Sequence, residues 1–214
     1  MRILLTGCSG QLGDAVISRL LTNPLVRRVA GIDVRPPRRT DGDRFRYHPA
    51  DIRDGVYLRS LLEEEGIDAV YHLAFKAGEA ADPLDAETVN VDGALALLEA
   101  ASKSARVGKV ILLSSAYAYG ARRRKAPLID EAEPLAARGS GPAAWRRRME
   151  ERVGELLPDL RPTLQVSMIR ACAIAGGGHE ASCPALPFLK SPLGPLTLAV
   201  ADPPLQCLAL EEAA

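Results

Sequence analysis

The sequence predicts an α/β fold in which a doubly wound parallel sheet carries helices on both faces. Short apolar runs typical of buried strands alternate with longer segments whose apolar residues recur at helical spacing. The first pair, a strand over Arg2 to Leu5 and a helix over Gln11 to Leu21, is joined by a turn with three glycines. Because strand–helix–strand units cross over in a right-handed sense, the alternation implies parallel strands.

The remaining elements follow in order along the chain. Apolar or alternating runs predict five more strands, at Arg28 to Asp33, Phe45 to His48, Ala69 to Ala74, Lys109 to Ser114 and Leu164 to Arg170. Helical spacing predicts three more helices, at Gly55 to Glu65, Asp85 to Ala105 and Ala143 to Leu157. Loops rich in proline, glycine and charge separate them, over Pro36 to Asp43 and from Arg122 to Pro142.

The pattern becomes irregular from Ala171 onward. A glycine triplet, Gly176 to Gly178, precedes a proline-rich stretch and one last strand-like run at Leu205 to Leu210. We therefore expect two parts, a Rossmann-type domain over residues 1–174 and a small loop-rich appendage over residues 175–214.

Composition excludes several classes of protein. A hydrophobic content of 47% and a charged content of 25% suit a globular core. Basic and acidic residues balance at 27 each, which gives no general attraction to nucleic acid. Four scattered cysteines and three separated histidines predict neither a metal site nor a disulfide framework. The first apolar run is too short for a secretion signal or membrane span, so we expect a cytoplasmic protein without a membrane partner.

The glycine-rich turn predicts a binding site for a pyrophosphate. Gly7, Gly10 and Gly13 lie between a strand and a helix, where bare amides and the helix dipole favour an anion. A turn that only caps the helix is the alternative. The acid twenty positions after Gly13, Asp33, favours a dinucleotide. Cys8 lies inside this turn, and its alkylation is expected to block cofactor binding.

Asp33 ends the second predicted strand and bears on the choice of dinucleotide. A carboxylate at this position accepts both ribose hydroxyls of the adenosine and repels a 2′-phosphate, which favours NAD. NADP is the alternative, because an arginine that follows, such as Arg35, can bind a 2′-phosphate.

Seven segments together resemble the extended short-chain dehydrogenase/reductases, in particular the NAD-dependent epimerase/dehydratase family that acts on nucleotide sugars. The similar segments are Thr6 to Gly13, Asp51–Ile52, Tyr71 to Ala74, Asn90 to Ala101, Leu113 to Gly120, Arg170 with Gly176, and Gln206 to Ala214. The resemblance implies a small-molecule substrate such as a nucleotide sugar and hydride transfer at an alcohol or ketone. Relatives often dimerise through the helices that hold Asn90 and Trp145, so a homodimer is one expectation.

The resemblance also assigns roles to individual positions. The positions expected to contact the cofactor are Gly7, Ser9, Gly10, Gln11, Leu12, Gly13, Asp33, Arg35, Asp51, Ile52, Leu73, Ala74, Phe75, Asn90 and Ser114. Ser115 corresponds to the family's catalytic serine, which hydrogen-bonds the reacting hydroxyl or carbonyl. A small polar residue that merely closes a strand is the alternative for Ser114 and Ser115.

The family's Tyr-x-x-x-Lys pair is missing from this sequence. None of the five tyrosines has a lysine four residues later, and the expected segment runs from Trp145 to Met149. One hypothesis is that Tyr117 or Tyr119 supplies the proton, with an arginine among residues 146–148 lowering its pKa. The alternative is that both rings only pack.

The charged residues of this segment and the family's longer C-terminus bear on the site and on whether the protein is an enzyme. The charge run from Arg146 to Glu151 is otherwise typical of an exposed helix face. The family also continues beyond the segment that matches Gln206 to Ala214, so the substrate pocket is expected to be incomplete. Two functions therefore stay open, an oxidoreductase or epimerase and a non-catalytic cofactor-binding redox sensor or partner subunit.

Overall fold

A computed structural model describes residues 1–39, 42–77, 82–120, 129–175 and 207–209. The main sheet has six strands, β1 (Arg2–Thr6), β2 (Arg28–Asp33), β3 (Phe45–Pro49), β4 (Ala69–His72), β5 (Lys109–Ser115) and β6 (Gln165–Ala171). The α-helices are α1 (Gln11–Thr22), α2 (Gly55–Glu64), α3 (Pro83–Lys103) and α4 (Pro142–Leu156). Short 3₁₀ turns cover Ala116–Tyr119 and Leu157–Asp159, and β7 (Ala173–Ala175) pairs in parallel with β8 (Cys207–Ala209).

The six strands are all parallel and lie in the order β3-β2-β1-β4-β5-β6. This order confirms the predicted doubly wound α/β sheet of the Rossmann type. The chain moves outward from β1 to β3 and then returns to place β4 on the other side of β1. A crevice opens outside the carboxyl ends of the strands at such a reversal, which is where ligands of open α/β sheets bind.

Two hydrophobic clusters cover the two faces of the sheet. Successive side chains of β1 point to opposite faces, so Leu4 joins the cluster under α2, α3 and α4, while Ile3 and Leu5 join the cluster under α1. All three are fully buried. The helices therefore pack on both faces of the sheet at its centre and hold the strand ends in place.

The differences from the predicted elements are small and have local causes. Strand β4 stops at His72, two residues early, so residues 73–77 continue beyond the strand at the carboxyl end of the sheet. Helix α3 begins two residues early because Asp82 accepts a hydrogen bond from Leu84 N–H and Pro83 occupies the first turn.

Little of the predicted C-terminal appendage falls in the described residues. Strand β7 lies where we predicted irregular chain, and β8 lies within the predicted strand at Leu205 to Leu210. The glycine triplet, the proline-rich stretch and the rest of that last run lie outside the described residues.

Candidate functional site

A cavity of about 620 Å³ lies at the carboxyl ends of the strands where the strand order reverses. We call it the switch-point cavity. Nine of the residues predicted to contact the cofactor line it: Gly7, Gly10, Asp33, Arg35, Asp51, Ile52, Leu73, Ala74 and Phe75. Sequence reasoning missed the other nine lining residues, which are Thr6, Ile32, Val34, Ala50, Arg53, Lys76, Ala77, Asp85 and Val89. The volume is in the range of sites for small molecules and cofactors.

The glycine turn is as tight as its sequence predicts. Gly7 has a φ of 76°, and a Cβ there would lie 2.7 Å from the backbone nitrogen of Ala74. A Cβ on Gly13 would lie 2.2 Å from the carbonyl oxygen of Gly7. Gly7 therefore lets the segment after β4 pack directly on the turn, and Gly13 lets the start of α1 do the same.

The start of α1 leaves backbone donors available next to Gly10, which lines the cavity. Gly10 precedes the helix and gives it no side-chain cap. The amides of the first turn, at Gln11, Leu12 and Gly13, have no acceptor within the helix. A Cβ on Gly10 would lie 3.3 Å from the Gly7 carbonyl oxygen, closer than an ordinary contact, so glycine suits this position. These features fit an anionic group placed against the turn.

Asp33 is held rigidly at the rim of the cavity. One carboxylate oxygen accepts the N–H of Ser9 and the other accepts the N–H of Arg35, both at 3.1 Å. The Ser9 hydroxyl in turn donates to the Arg35 carbonyl. Each carboxylate oxygen keeps a lone pair for a further donor, such as a ribose hydroxyl. Ser9 therefore serves the site by fixing Asp33.

The arginines that follow Asp33 lie in different places. Arg39 binds Asp14 of α1 at 2.7 Å and donates to the Ser18 hydroxyl at 2.6 Å, so α1 holds it. Arg35 is exposed and lines the cavity beside Asp33. Of these two, Arg35 is the arginine placed to meet a group bound at Asp33.

Four charged residues form a chain along another part of the cavity. Arg53 binds Asp51 at 2.6 Å and Asp85 at 2.8 Å, and Lys76 also binds Asp85. The hydrogen bond from Arg53 lowers the pKa of Asp51, so this carboxylate is ionised at neutral pH. The chain of charges ties the loop after β3 to the start of α3.

Asn90 does not line the cavity itself, but its side chain binds the backbone of Lys76, which does. Its side-chain oxygen accepts Lys76 N–H at 2.7 Å, and its amide nitrogen donates to the Lys76 carbonyl at 2.9 Å. Asn90 was predicted to contact the cofactor. That contact stays a prediction, and in the structure the side chain positions Lys76, which lines the cavity.

Helix α4 meets the carboxyl end of β5 through a buried hydrogen-bonded cluster. The Ser114 hydroxyl bonds to the Glu150 carboxylate, and Arg170 of β6 binds the same carboxylate at 2.8 Å. Arg170 also donates to the Tyr119 hydroxyl at 2.7 Å. We call Ser114, Tyr119, Glu150 and Arg170 the α4–β6 cluster. Ser115 points elsewhere, and its hydroxyl accepts Tyr117 N–H at 3.3 Å.

Two predictions about the charge run on α4 need correction. Arg146 and Glu150 were expected on an exposed face, but they are only 9% and 7% exposed. The cation beside Tyr119 was expected among residues 146–148, but it is Arg170. The physical reason is that the buried stripe of α4 also contains Trp145 and Met149, which brings their neighbours 146 and 150 against the sheet. Tyr117, the predicted acid/base, is 42% exposed.

Arg146 lies under the ends of β4 and β5. Its guanidinium donates to the Leu113 carbonyl and stacks 3.5 Å from the centroid of the Phe75 ring. Burial lowers its pKa, and Glu150 opposes that shift. The group stays cationic at neutral pH because an arginine begins far above it.

His72 ends β4 as a neutral, buried side chain. Burial lowers its pKa to about 3, with a smaller contribution from the positive charge of Arg146. Its Nδ1 lies 2.8 Å from the Thr6 hydroxyl, which also accepts Ala74 N–H at 3.2 Å. His72 and Thr6 therefore fix the path of the chain where it leaves β4.

Cys8 is expected to resist alkylation in the folded protein. The side chain is fully buried, and burial raises its pKa to about 11. With this pKa, only about one thiol in a thousand is ionised at pH 8. Because the thiolate is the reactive form, alkylation should be slow and its rate should rise as pH approaches 11. Peptide mapping after maleimide treatment at pH 7 should find Cys172, which is partly exposed, modified well before Cys8. Equal labelling of the two would contradict this, and urea-unfolded protein provides the control.

Two kinds of feature, a membrane-spanning helix and a metal site, are not found among the described residues. No described helix combines the length and apolar composition that crossing a bilayer requires. Within the described ranges, no three His, Cys, Asp or Glu side chains form a group suited to a metal ion.

The fold and the cavity define a dinucleotide-binding protein of the Rossmann class. Comparison with known families supports this and goes further. The model of the NAD dependent epimerase/dehydratase family matches residues 3–151. The chain belongs to this family, whose cofactor, NAD, is the one predicted from the sequence.

Similar proteins include both curated relatives and solved structures. A UDP-glucose 4-epimerase of Neisseria meningitidis serogroup C is 31% identical over 79% of this chain and 52% of its own length. A short-chain dehydrogenase/reductase superfamily protein from Agrobacterium tumefaciens, solved with bound NAD, is 29% identical with a TM-score of 0.69, covering 82% of this chain and 50% of that one.

The fold is also similar to that of UDP-glucose 4-epimerase from Thermotoga maritima, solved with UDP-glucose. The TM-score is 0.71 at 23% identity, covering 82% of this chain and 57% of that one. The chain thus spans about half the length of the relatives to which it is similar.

Proposed function

We propose that the protein binds NAD in the switch-point cavity and acts with it on a hydroxyl or ketone of a small molecule, of which a nucleotide sugar is the first candidate. The observation that carries the proposal is the rigid Asp33 carboxylate at the rim of a cavity that opens over Gly10. Relatives that are UDP-glucose 4-epimerases support the substrate class. Bound NAD supplies an acceptor and donor of hydride.

Each part of the cavity would hold one part of the dinucleotide. Asp33 would accept hydrogen bonds from the adenosine ribose, and the amides at the start of α1 would face the pyrophosphate. Asp51 and Ile52 would border the adenine. Residues 73–75 would direct the other half of the molecule toward the ends of β4 and β5.

The residues that would act on substrate are Ser115 and Tyr117. Ser115 lies at the end of β5, where its hydroxyl accepts the Tyr117 N–H. To orient a substrate oxygen, the hydroxyl would first release that hydrogen bond. Tyr117 is exposed enough to reach a substrate and would exchange the proton. Both assignments rest on the family resemblance and on this placement.

The second candidate function is cofactor binding without turnover, as a redox sensor or a partner subunit. It is favoured by Trp145 and Met149, which occupy the segment expected to hold the tyrosine and lysine and are buried in the face of α4 that packs on the sheet. It is also favoured by Tyr119, whose hydroxyl is already bound to Arg170.

One assay separates the two functions. The protein is incubated with NAD⁺ or NADH and a panel of nucleotide sugars, while absorbance at the NADH band and product composition are followed. Turnover that disappears in Tyr117→Phe supports the catalytic function with the assigned proton donor. Cofactor binding without turnover supports the second, and an unchanged rate in Tyr117→Phe removes the assignment of Tyr117.

Replacing Asp33 by asparagine is expected to weaken NAD⁺ binding by about tenfold or more, since a hydrogen bond to a charged group contributes about 1.5–3 kcal/mol. Binding of NADP⁺ should change less, because the variant loses the negative charge that repels a 2′-phosphate. Calorimetric titration of both coenzymes measures the change. Asp130→Asn is the matched control, since Asp130 also accepts a backbone N–H but lies outside the cavity. An unchanged NAD⁺ affinity in Asp33→Asn would contradict the assignment.

A further inference from the structure

We propose that the buried guanidinium of Arg146 makes the site select the reduced cofactor, so that the protein binds NADH more tightly than NAD⁺. The inference rests on the proposed NAD site and adds the redox form that this site prefers. The two forms differ in charge at one place, because the nicotinamide ring is cationic in NAD⁺ and neutral in NADH. A fixed positive charge under that ring therefore discriminates between them.

The topology puts Arg146 under the nicotinamide half of the site. Asp33 ends β2 on one side of β1, whereas Phe75, in the segment after β4, and Leu113, near the end of β5, lie on the other side. A dinucleotide with its adenosine ribose at Asp33 and its pyrophosphate at the start of α1 must carry its nicotinamide toward β4 and β5. Arg146 touches the segment after β4 through the Phe75 ring and the end of β5 through the Leu113 carbonyl.

The charges around Arg146 leave a net positive charge among the described residues. Glu150 interacts with Arg146, but it also forms an ion pair with Arg170 at 2.8 Å. His72, the other titratable neighbour, is neutral because it is buried. Two arginines therefore face one carboxylate. Because Arg146 is almost wholly buried, salt in the solvent screens its charge only weakly.

The expected size of the preference is about tenfold. At an effective dielectric constant of about 20, two unit charges about 10 Å apart change a dissociation constant by roughly this factor. A tenfold tighter binding of NADH raises the reduction potential of the bound cofactor by about 30 mV, since the couple transfers two electrons.

The first test uses the unmodified protein. Trp145 is the chain's single tryptophan and lies on α4 beside Arg146, so its emission, which overlaps the NADH absorption band, reports NADH binding directly. NAD⁺ affinity follows from displacement of NADH. We expect the dissociation constant of NAD⁺ to exceed that of NADH by about tenfold. Equal constants, or tighter NAD⁺, would overturn the inference but leave the proposed function standing, whereas no binding of either form overturns both.

The second test assigns the preference to one residue. Arg146→Gln should bring the two dissociation constants close together, while Arg146→Lys, which keeps the charge, should preserve the ratio. Arg152→Gln removes an exposed arginine of the same helix, paired with Glu155 at 3.2 Å, and should leave the ratio unchanged. A ratio that survives in Arg146→Gln would refute the role of Arg146. If that variant fails to fold, equal constants in the unmodified protein, or a ratio lost in Arg146→Lys, would still refute the inference.

Discussion

Replacing Glu150 by alanine is expected to lower the free energy of unfolding by about 3 kcal/mol, because removing one partner of a buried ion pair leaves the other charge uncompensated. Glu150 is the only carboxylate of the α4–β6 cluster, and it binds Arg170 and the Ser114 hydroxyl. We expect the lower end of the usual range for buried pairs, since the Arg170 side chain is 26% exposed and can turn partly to water. Urea unfolding followed by circular dichroism measures the loss.

The neighbouring Glu151→Ala is the matched control for this experiment. Glu151 forms an exposed pair with Arg147 one helical turn away, at 2.9 Å, and such pairs contribute only about 0.3–0.5 kcal/mol. If the two variants lost the same stability, the α4–β6 cluster would have no special role in holding α4 on the sheet.

Replacing Gly13 by alanine is expected to cost up to about 3 kcal/mol of stability and to abolish tight cofactor binding, because overpacking a closely packed site forces the backbone to shift. The added Cβ would lie 2.2 Å from the Gly7 carbonyl and 3.0 Å from the Cys8 Cα, both of which are backbone atoms. The turn can relieve these contacts only by moving α1 away. Thermal unfolding and NADH titration together measure the two effects.

Gly154→Ala is the control for Gly13→Ala. Gly154 lies inside α4, and a Cβ there meets nothing within 4 Å. Alanine at an exposed helix position is expected to stabilise by about 0.5–1 kcal/mol and to leave cofactor affinity unchanged. A normal cofactor affinity in Gly13→Ala would mean that the turn does not form the pyrophosphate site.

The fold could be predicted because its signals are local in the sequence. Each strand and helix of the sheet carries its own periodicity, and right-handed crossovers between them imply parallel strands. The glycine turn and Asp33 were found for the same reason, since both belong to one strand–helix–strand unit. Boundaries shifted where a cap decided them, as Asp82 does for α3.

The parts of the site that sequence reasoning missed are contacts between distant segments. Arg53 meets Asp85 across 32 residues, and Glu150 meets Arg170 across 20, with no regular spacing to announce either pair. For α4 one signal was present. Trp145, Met149 and Val153 follow each other at intervals of four, and this stripe passes beside positions 146 and 150. The balance of charges in the run concealed that two of its members are buried.

The central place of β1 also matters for how the protein is made. Its two edges pair with β2 and β4, so the second edge stays open until residues 69–72 have been synthesised. Chains emerge from the ribosome amino end first, and unpaired apolar strands are prone to aggregate meanwhile. The apolar run at Ile3, Leu4 and Leu5 therefore stays paired on at most one edge until β4 has been made.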